Sequence, residues 1–228
     1  MTTLVTSVPP VLLRHFPGLT DYEPSVDAMR DFTASRGPET PDELWLLEHP
    51  PVYTLGLNTN PAHLLSAGNV PVVQTDRGGQ VTYHGPGQLV AYLLLDLQRA
   101  GLGIRKVVCA LENSVIALAA SHGITASGRR EAPGVYVDGA KLASIGLRVR
   151  RACTYHGLAL NVAMDLAPFR GINPCGYPGM AVTSLEMLGV ATDPVQIGGS
   201  LAALLLQQLG LTAGNQVSRR YPHVCRRS

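Results

Sequence analysis

The 228-residue chain has only four cysteines, Cys109, Cys153, Cys175 and Cys225, and none forms a C-x-x-C pair. That spacing argues against a zinc knuckle and against a thioredoxin-type redox site. There is no H-E-x-x-H stretch, and His15, His49, His63, His122, His156 and His223 are scattered, so no metal-ligand pattern is present. No Walker A sequence occurs. The glycines around Gly78 neither open a helix nor precede an acidic residue at the distance a dinucleotide fold requires. Charge is sparse: charged residues are 15% of the chain and the net charge is +2. That is too little to argue for nucleic acid. The short clusters Arg129-Arg130, Arg148-Arg150-Arg151 and Arg219-Arg220 read either as solvated surface or as a dock for an acidic partner protein. No apolar run approaches the roughly 20 residues that span a bilayer. The first eighteen residues lack a charged segment followed by a long apolar core, so no signal peptide is expected. These absences lead us to expect a cytoplasmic protein with reduced thiols, bound neither to membrane nor to nucleic acid.

The length suffices for one sizeable core, read here as a single domain over 1–228, with about 183–228 as a possible small C-terminal helical extension. SVDAMRDFTASRG, opened by Pro24 and ended by Gly37, predicts a helix. ELWLLEH, PVYTLG, PVVQTD, QVTYH and QLVAYLLLDL predict strands, and the last is apolar throughout, so it should be central and covered on both faces. IRKVVCALENSVIALAASHG carries apolar residues at helical spacing and stops at Gly123. Short strands follow in ITAS, GVYVDG, KLASIGLRVRR and YHGLALNVA, with a hairpin turn at Asp138-Gly139. TSLE reads as a capping box with Thr183 as N-cap and Glu186 reaching back. DPVQIGGSLAALLLQQLG reads as a final helix with Asp193 at its N-cap and Pro194 at its first position. Strands joined by hairpins and mixed with helices predict an α+β, or mixed α/β, fold rather than a doubly wound sheet.

Three side chains stand out chemically. Lys141 begins an alternating run in which Ala143, Ile145, Leu147 and Val149 share its face, while Leu142, Ser144, Gly146 and Arg148 share the other. A lysine there either snorkels to solvent or sits desolvated, where it can shuttle protons. Cys175 lies in RGINPCGYPGMAVTSLE, a loop dense in glycine and proline, and is either a reactive thiol or a structural one. Cys109 on its helix and Cys153 near a strand end fit a structural role better. His84 sits between Tyr83 and Gly85-Pro86-Gly87, as a turn histidine or as a base. Gly78 and Gly79 permit positive φ or close backbone approach, and Arg77 either holds an anion or braces the loop.

RGGQVTYHGPGQLVAY, HPPVYTLG, GAKLASIG, YHGLALNV and GINPCGYPGMAVTSL, taken together and in this order from about Leu44 to Leu188, resemble the signature segments of the octanoyltransferases of lipoate biosynthesis. The resemblance implies a mostly antiparallel sheet flanked by helices, similar to the catalytic domains of biotin protein ligases and lipoate ligases. It implies that Cys175 carries an acyl-thioester intermediate with Lys141 as its dyad partner. It implies that substrate is bound by Arg77, Gly78, Gly79, Gln80, Val81, Thr82, Tyr83 and His84, by Ser144, Ile145 and Gly146, and by Gly157, Leu158 and Ala159. Val81 and Tyr83, or Ile145 and Leu158, would then line an acyl tunnel. The implied donor is octanoyl-acyl carrier protein. The implied acceptors are lipoyl domains of 2-oxoacid dehydrogenase complexes and the glycine cleavage H protein. The implied enzyme is a monomer and needs no cofactor or metal. Ser144 and Gly146 fall on the strand face opposite Lys141, so either they act through backbone groups or the strand holds a bulge. The alternatives are an ATP-dependent lipoate or biotin ligase, a non-catalytic acyl-binding protein, and a cysteine hydrolase.

Overall fold

Among the described residues there are three α-helices, and only the last has a side-chain cap at its N-terminus. Helix α1 (Tyr22–Ser35) carries Pro24 in its first turn, where no intrahelical N–H is needed. Helix α2 (Ile104–Ser121) buries Val107, Leu111, Val115 and Leu118 along one stripe, and Gly123 follows it at φ 76°. In helix α3 (Pro194–Leu209), Asp193 Oδ1 accepts the Gln196 N–H at 2.9 Å, Pro194 holds the first position, and Gly210 closes the helix at φ 70°. The structure is a computed structural model and describes residues 9–218.

Among the described residues the strands are β1 (Val11–Leu19), β2 (Glu43–Glu48), β3 (Val52–Leu55), β4 (Val72–Gln74), β5 (Val81–His84), β6 (Gln88–Leu94), β7 (Ser127–Gly128), β8 (Gly134–Val137), β9 (Ala140–Arg150), β10 (Cys153–Asn161) and β11 (Ala213–Ser218). Eight form one sheet in the order β11-β1-β2-β6-β10-β9-β8-β7, and three form a second in the order β4-β3-β5. In the large sheet β1 is parallel to β11 and β2, and all other neighbours are antiparallel. This is the mixed α/β class that the hairpin-joined strands predict, with the mostly antiparallel sheet that the resemblance implies. The β8–β9 turn places Asp138 at φ 47° and Gly139 at φ 85°, the two left-handed residues of a tight hairpin.

Strand β6 explains the layering. All seven of its residues are buried. Leu89, Ala91 and Leu93 point into a core built with α2 and α3, while Val90, Tyr92 and Leu94 point into a second core built with α1. The large sheet therefore has α2 and α3 on one face, and α1 on the other. The small sheet caps a third cluster, with Tyr53, Val81 and Tyr83 against Phe169 and Ile172. Beyond residue 183, Leu201, Leu205 and Leu209 of α3 share the core of Leu111 and Val115, and β11 pairs with β1.

Three local expectations need correction. The TSLE stretch does not open a helix: it forms a single turn in which Ser184 Oγ, not Thr183, accepts the Met187 N–H at 3.2 Å. Its backbone is instead tied to β10, because the Leu185 N–H donates to Asn161 O at 3.0 Å. ITAS contributes only the first residue of a two-residue strand, because Ile124 and Ala126 are drawn onto the main core. Strands β1 and β11 were not anticipated. The register of β1 against β2 shifts between His15 and Leu19, where Pro17 lacks a donor and Gly18 turns to φ 74°.

Candidate active site

Strand β9 does not alternate cleanly. Across from it Tyr136 pairs with Lys141 and Val135 with Ala143, so Leu142 is an inserted residue. At this bulge Leu142 and Ala143 both turn into the core beside α2, and Lys141 is shifted to the face that carries Ser144 and Gly146. The bulge resolves the conflict that strict alternation creates. Lys141 is 3% exposed. Its Nζ lies 5.4 Å from the centre of the Tyr136 ring. Gly134, at φ 149°, makes room for it: a Cβ there would sit 2.7 Å from Lys141 Cε and 2.6 Å from Ala143 O. The Lys141 backbone is also held, donating to Ala181 O at 2.8 Å and accepting from the Thr183 N–H at 3.0 Å. The segment that leaves the cysteine loop thus continues the sheet beside Lys141.

Lys141 lies at one end of a narrow cleft, partly open to solvent, between the large sheet and the small one. Cross-strand pairing explains why there is space. Ser144 is opposite Ala159 and Gly146 opposite Gly157, and these four small residues form the floor. Gly79, Gln80, Val81, Thr82 and His84 face them from the loop before β5 and from β5 itself. Pro174 borders the same cleft as Lys141. Pro174 and Gly176 flank Cys175 in a short 3-10 turn; the backbone of Cys175 is described and its side chain lies outside the described atoms. That turn is pinned from below. The Asn173 N–H donates to His63 O at 2.8 Å, and the His63 ring lies against Gly176, with Nε2 3.2 Å from where a Cβ would be.

The other end and the inner wall are polar. Arg77 is buried, with its guanidinium donating to Thr54 O at 2.7 Å and to Thr54 Oγ1 at 2.8 Å, so it braces the glycine loop onto β3. Gly78 ties the same loop to β9 by donating to Leu147 O at 2.9 Å. His84 Nδ1 lies 2.7 Å from Gln88 Oε1, and Gln88 Nε2 donates to Asn161 Oδ1 at 2.9 Å. His49 Nε2 accepts from Tyr92 OH at 2.7 Å. His156, at φ 60° within β10, lies 3.0 Å by Nε2 from Asp76 Oδ1, and Tyr155 OH donates to Asp76 Oδ2 at 2.6 Å. Burial pushes His49 down to about 4. Burial, then His49 and Arg77, drive His84 well below the usual imidazole range. Burial also lowers His156, outweighing the hydrogen bond and charge of Asp76. Burial raises the Asp76 carboxyl, but hydrogen bonds from His156, Tyr155 and Arg30 prevail and hold it well below the ordinary carboxylate range. All three imidazoles are therefore neutral near pH 7.

Of the residues the sequence singles out, Lys141, Arg77, Gly79, Gln80, Val81, Thr82, His84, Ser144, Ile145, Gly146, Gly157, Leu158 and Ala159 border this one cleft. Gly78 stands behind it. Tyr83 faces away, packed on Tyr53 and Phe169 at ring distances of 5.4 and 5.6 Å. Ile145 and Leu158 pair across the strands and send their side chains into the α2 core, so they offer the cleft backbone rather than a tunnel wall. Both ring nitrogens of His84 face protein groups, Gln88 and Thr54. Sequence reasoning missed Tyr22, Val90, Tyr92, Gly134 and the pair Asp76 and His156. One signal was available: the triplet Tyr-His-Gly occurs at 83–85 and again at 155–157, and both histidines reach the cleft.

Comparison with known proteins bears on the family and the fold. The family pattern of the lipoyl protein ligase A/B catalytic domain matches residues 21–201. An octanoyltransferase of Methylococcus capsulatus is 60% identical over 193 residues, covering 85% of this chain and 93% of that protein. One from Alkalilimnicola ehrlichii is 58% identical, over 84% and 89%. Among solved structures, lipoate-protein ligase A bound with ATP superposes with a TM-score of 0.71 at 13% identity, over 92% of this chain and 89% of that one. A bipartite lipoate protein ligase from Thermoplasma acidophilum gives 0.67 at 14%, over 92% and 87%. At such identities the two ligases share the fold, whereas the curated relatives share most of the sequence. The chain belongs to the octanoyltransferases, acyltransferases of the lipoyl protein ligase A/B catalytic-domain family.

Proposed function

We propose that this octanoyltransferase moves the octanoyl group from octanoyl-acyl carrier protein to a lysine of a lipoyl domain in two steps, through a thioester on Cys175, in the cytoplasm. The acceptors are the lipoyl domains of 2-oxoacid dehydrogenase complexes and the glycine cleavage H protein. The observation that supports this reading is the burial of Lys141 in the same cleft that Pro174, the neighbour of Cys175, borders. A thioester already carries the activation, so exchange between two thiols is close to balanced and transfer to an amine runs downhill.

An ordinary cysteine is only a few per cent thiolate at pH 7, and an ammonium beside it favours the ionised form. In the first step the Cys175 thiolate attacks the acyl carbonyl. A new C–S bond forms, the carrier's C–S bond breaks, and the departing thiolate takes a proton from the Lys141 ammonium. Acylation removes the negative charge that held that proton. In the second step neutral Lys141 takes a proton from the acceptor's ammonium, and the freed amine attacks the Cys175 thioester. The C–N bond forms, the C–S bond breaks, and the nitrogen's remaining extra proton passes to solvent. The thiolate and ammonium are then restored.

Intact-protein mass measurement tests this. One octanoyl group should appear on incubation with octanoyl carrier protein, map to Cys175, and leave when a lipoyl domain is added; Cys175→Ser should not load it. Lys141→Arg keeps a cation but cannot surrender its proton. It should therefore load better than Lys141→Ala and stall at transfer. Normal rates in Lys141→Ala would end the dyad mechanism. Because His63 lies against Gly176, His63→Asn is the comparison that separates the lysine from an imidazole base; its transfer rate should stay within about threefold of the wild type.

A further inference from the structure

A second cavity lies beside the cleft. It is an open groove bordered by apolar Leu65, Phe169, Met180 and Met187 and by Arg170, the one charged residue on its walls among the described residues. Leu65 is 58% and Met187 69% exposed. Exposed apolar side chains clustered in this way mark a binding surface, and methionines adapt to what lies on them. The groove meets the cleft at the reacting residues. Asn173 and Gly179 border the groove and flank the Cys175 turn, whereas Pro174 borders the cleft. Val182 borders the groove and is bridged to Lys141, which borders the cleft.

Two polar features give the groove a chemical character. The bridge is parallel: the Lys141 N–H donates to Ala181 O, and the Thr183 N–H donates to Lys141 O. In that pattern the middle residue, Val182, turns its own N–H and C=O away from β9. Neither group is hydrogen-bonded to a described residue. Val182 is thus a short open sheet edge, the kind that pairs with an extended amide chain. Arg170 is exposed and makes no hydrogen bond or ion pair with a described residue. It stands five residues before Cys175, so the two backbones are at most about 18 Å apart. A phosphopantetheine arm combines the same three elements: secondary amides, an apolar stretch with a gem-dimethyl group, and a phosphate at the end far from the thiol. With the acyl chain in the cleft and its carbonyl at Cys175, the arm has to leave by another path. We propose that the groove holds the phosphopantetheine arm of the donor, its amides along Val182, its dimethyl group against the methionines and its phosphate on Arg170. This rests on reading Cys175 as the acylated residue and the cleft as the acyl site.

The test loads the full chain, without acceptor, from three octanoyl thioesters whose arms lengthen stepwise. N-acetylcysteamine has one amide, pantetheine adds a second amide and the dimethyl group, and phosphopantetheine adds the phosphate. Second-order rates of mass gain are compared. Each addition should raise the rate, the phosphate by about tenfold, the scale of a charge-assisted contact. Arg170→Gln should remove that gain and leave the two uncharged thioesters within about threefold of the wild type. An equal loss for all three overturns the proposal, as does no loss for the phosphorylated one. So does an Arg170→Gln variant that loads normally but transfers slowly to a lipoyl domain, because the groove would then serve the acceptor. If none of the three loads the wild type, the acyl-enzyme reading falls and this proposal with it; loading from all three at one common rate defeats this proposal only.

Discussion

At the scale of single residues, the site depends as much on side chains that are missing as on those present. Gly134 has no catalytic atom, yet any side chain there would collide with the Lys141 stem and with Ala143 O. On the proposed two-step transfer, Gly134→Ala should lower the rate of acyl-enzyme formation at least tenfold, read as mass gain over time, since small misplacements of a reacting group are expensive. The same change at Gly139, where no backbone crowds a Cβ, should cost only the strain of its positive φ and leave acylation within threefold. Gly146 and Gly157 work similarly across the floor. A Cβ at Gly157 would fall 2.0 Å from Ala91 O, and one at Gly146 2.9 Å from Gly78 O. Glycine at 146 lets sheet and loop approach closely, and at 157 it lets β10 and β6 do so.

At the scale of elements, one inserted residue in β9 decides which face Lys141 joins. Because strand side chains alternate strictly, a slip of one position exchanges every face. The bulge at Leu142 confines that slip to the strand's first two residues. From Ala143 onward the core face is regular, and before it Lys141 is free to face the cleft. Helix α3 carries a different dependence. Its first turn relies on the Asp193 carboxylate. Asp193→Ala should cost about 1 kcal/mol, seen as a fall in Tm of roughly 2–4 °C for a chain of this size, with activity at 25 °C preserved because α3 packs on the face away from the cleft.

At the scale of the whole molecule, the buried imidazoles and the exposed arginines make opposite kinds of prediction. His49, His84 and His156 all have folded-state affinities for protons below that of a free imidazole, chiefly through burial. Between the ordinary value of about 6.5 and their lowered values, the unfolded chain binds more protons than the folded one, so stability is lost as pH falls. Each histidine removes up to about 1.4 kcal/mol per pH unit in that window. Urea unfolding midpoints should therefore decline steeply from pH 7 to pH 5, and His49→Gln should flatten the slope; a midpoint independent of pH would contradict the neutral, buried state. The arginines concern encounter. Arg148, Arg150 and Arg151 are exposed at the end of β9 remote from Lys141. Arg129 stacks 4.3 Å over Tyr136, whose ring also borders Lys141. If the donor docks by charge, Arg129→Glu with Arg130→Glu should raise the carrier's KM more than Arg148→Glu with Arg150→Glu. Both effects should shrink as salt is added.

Much of this was already present in the linear chain. Capping chemistry and hydrophobic periodicity place α2 and α3, the continuous apolar run of β6 requires a central strand, and the Asp138-Gly139 pair requires a hairpin, because each is a consequence of local backbone geometry. The segments around Arg77, Lys141 and Cys175 likewise announce an acyltransferase. Strands β1 and β11 could not be read, since each is stabilised by a neighbour far away in sequence, and β1 is interrupted by Pro17 and Gly18. The face of Lys141 was undecidable locally, because a bulge is a mismatch between two strands and neither strand alone contains it. Tyr83 and Leu158 sit beside true cleft residues in the chain, yet packing turns their side chains away. The contact of Asp76 with His156 spans 80 positions, and only folding brings a carboxylate to that imidazole.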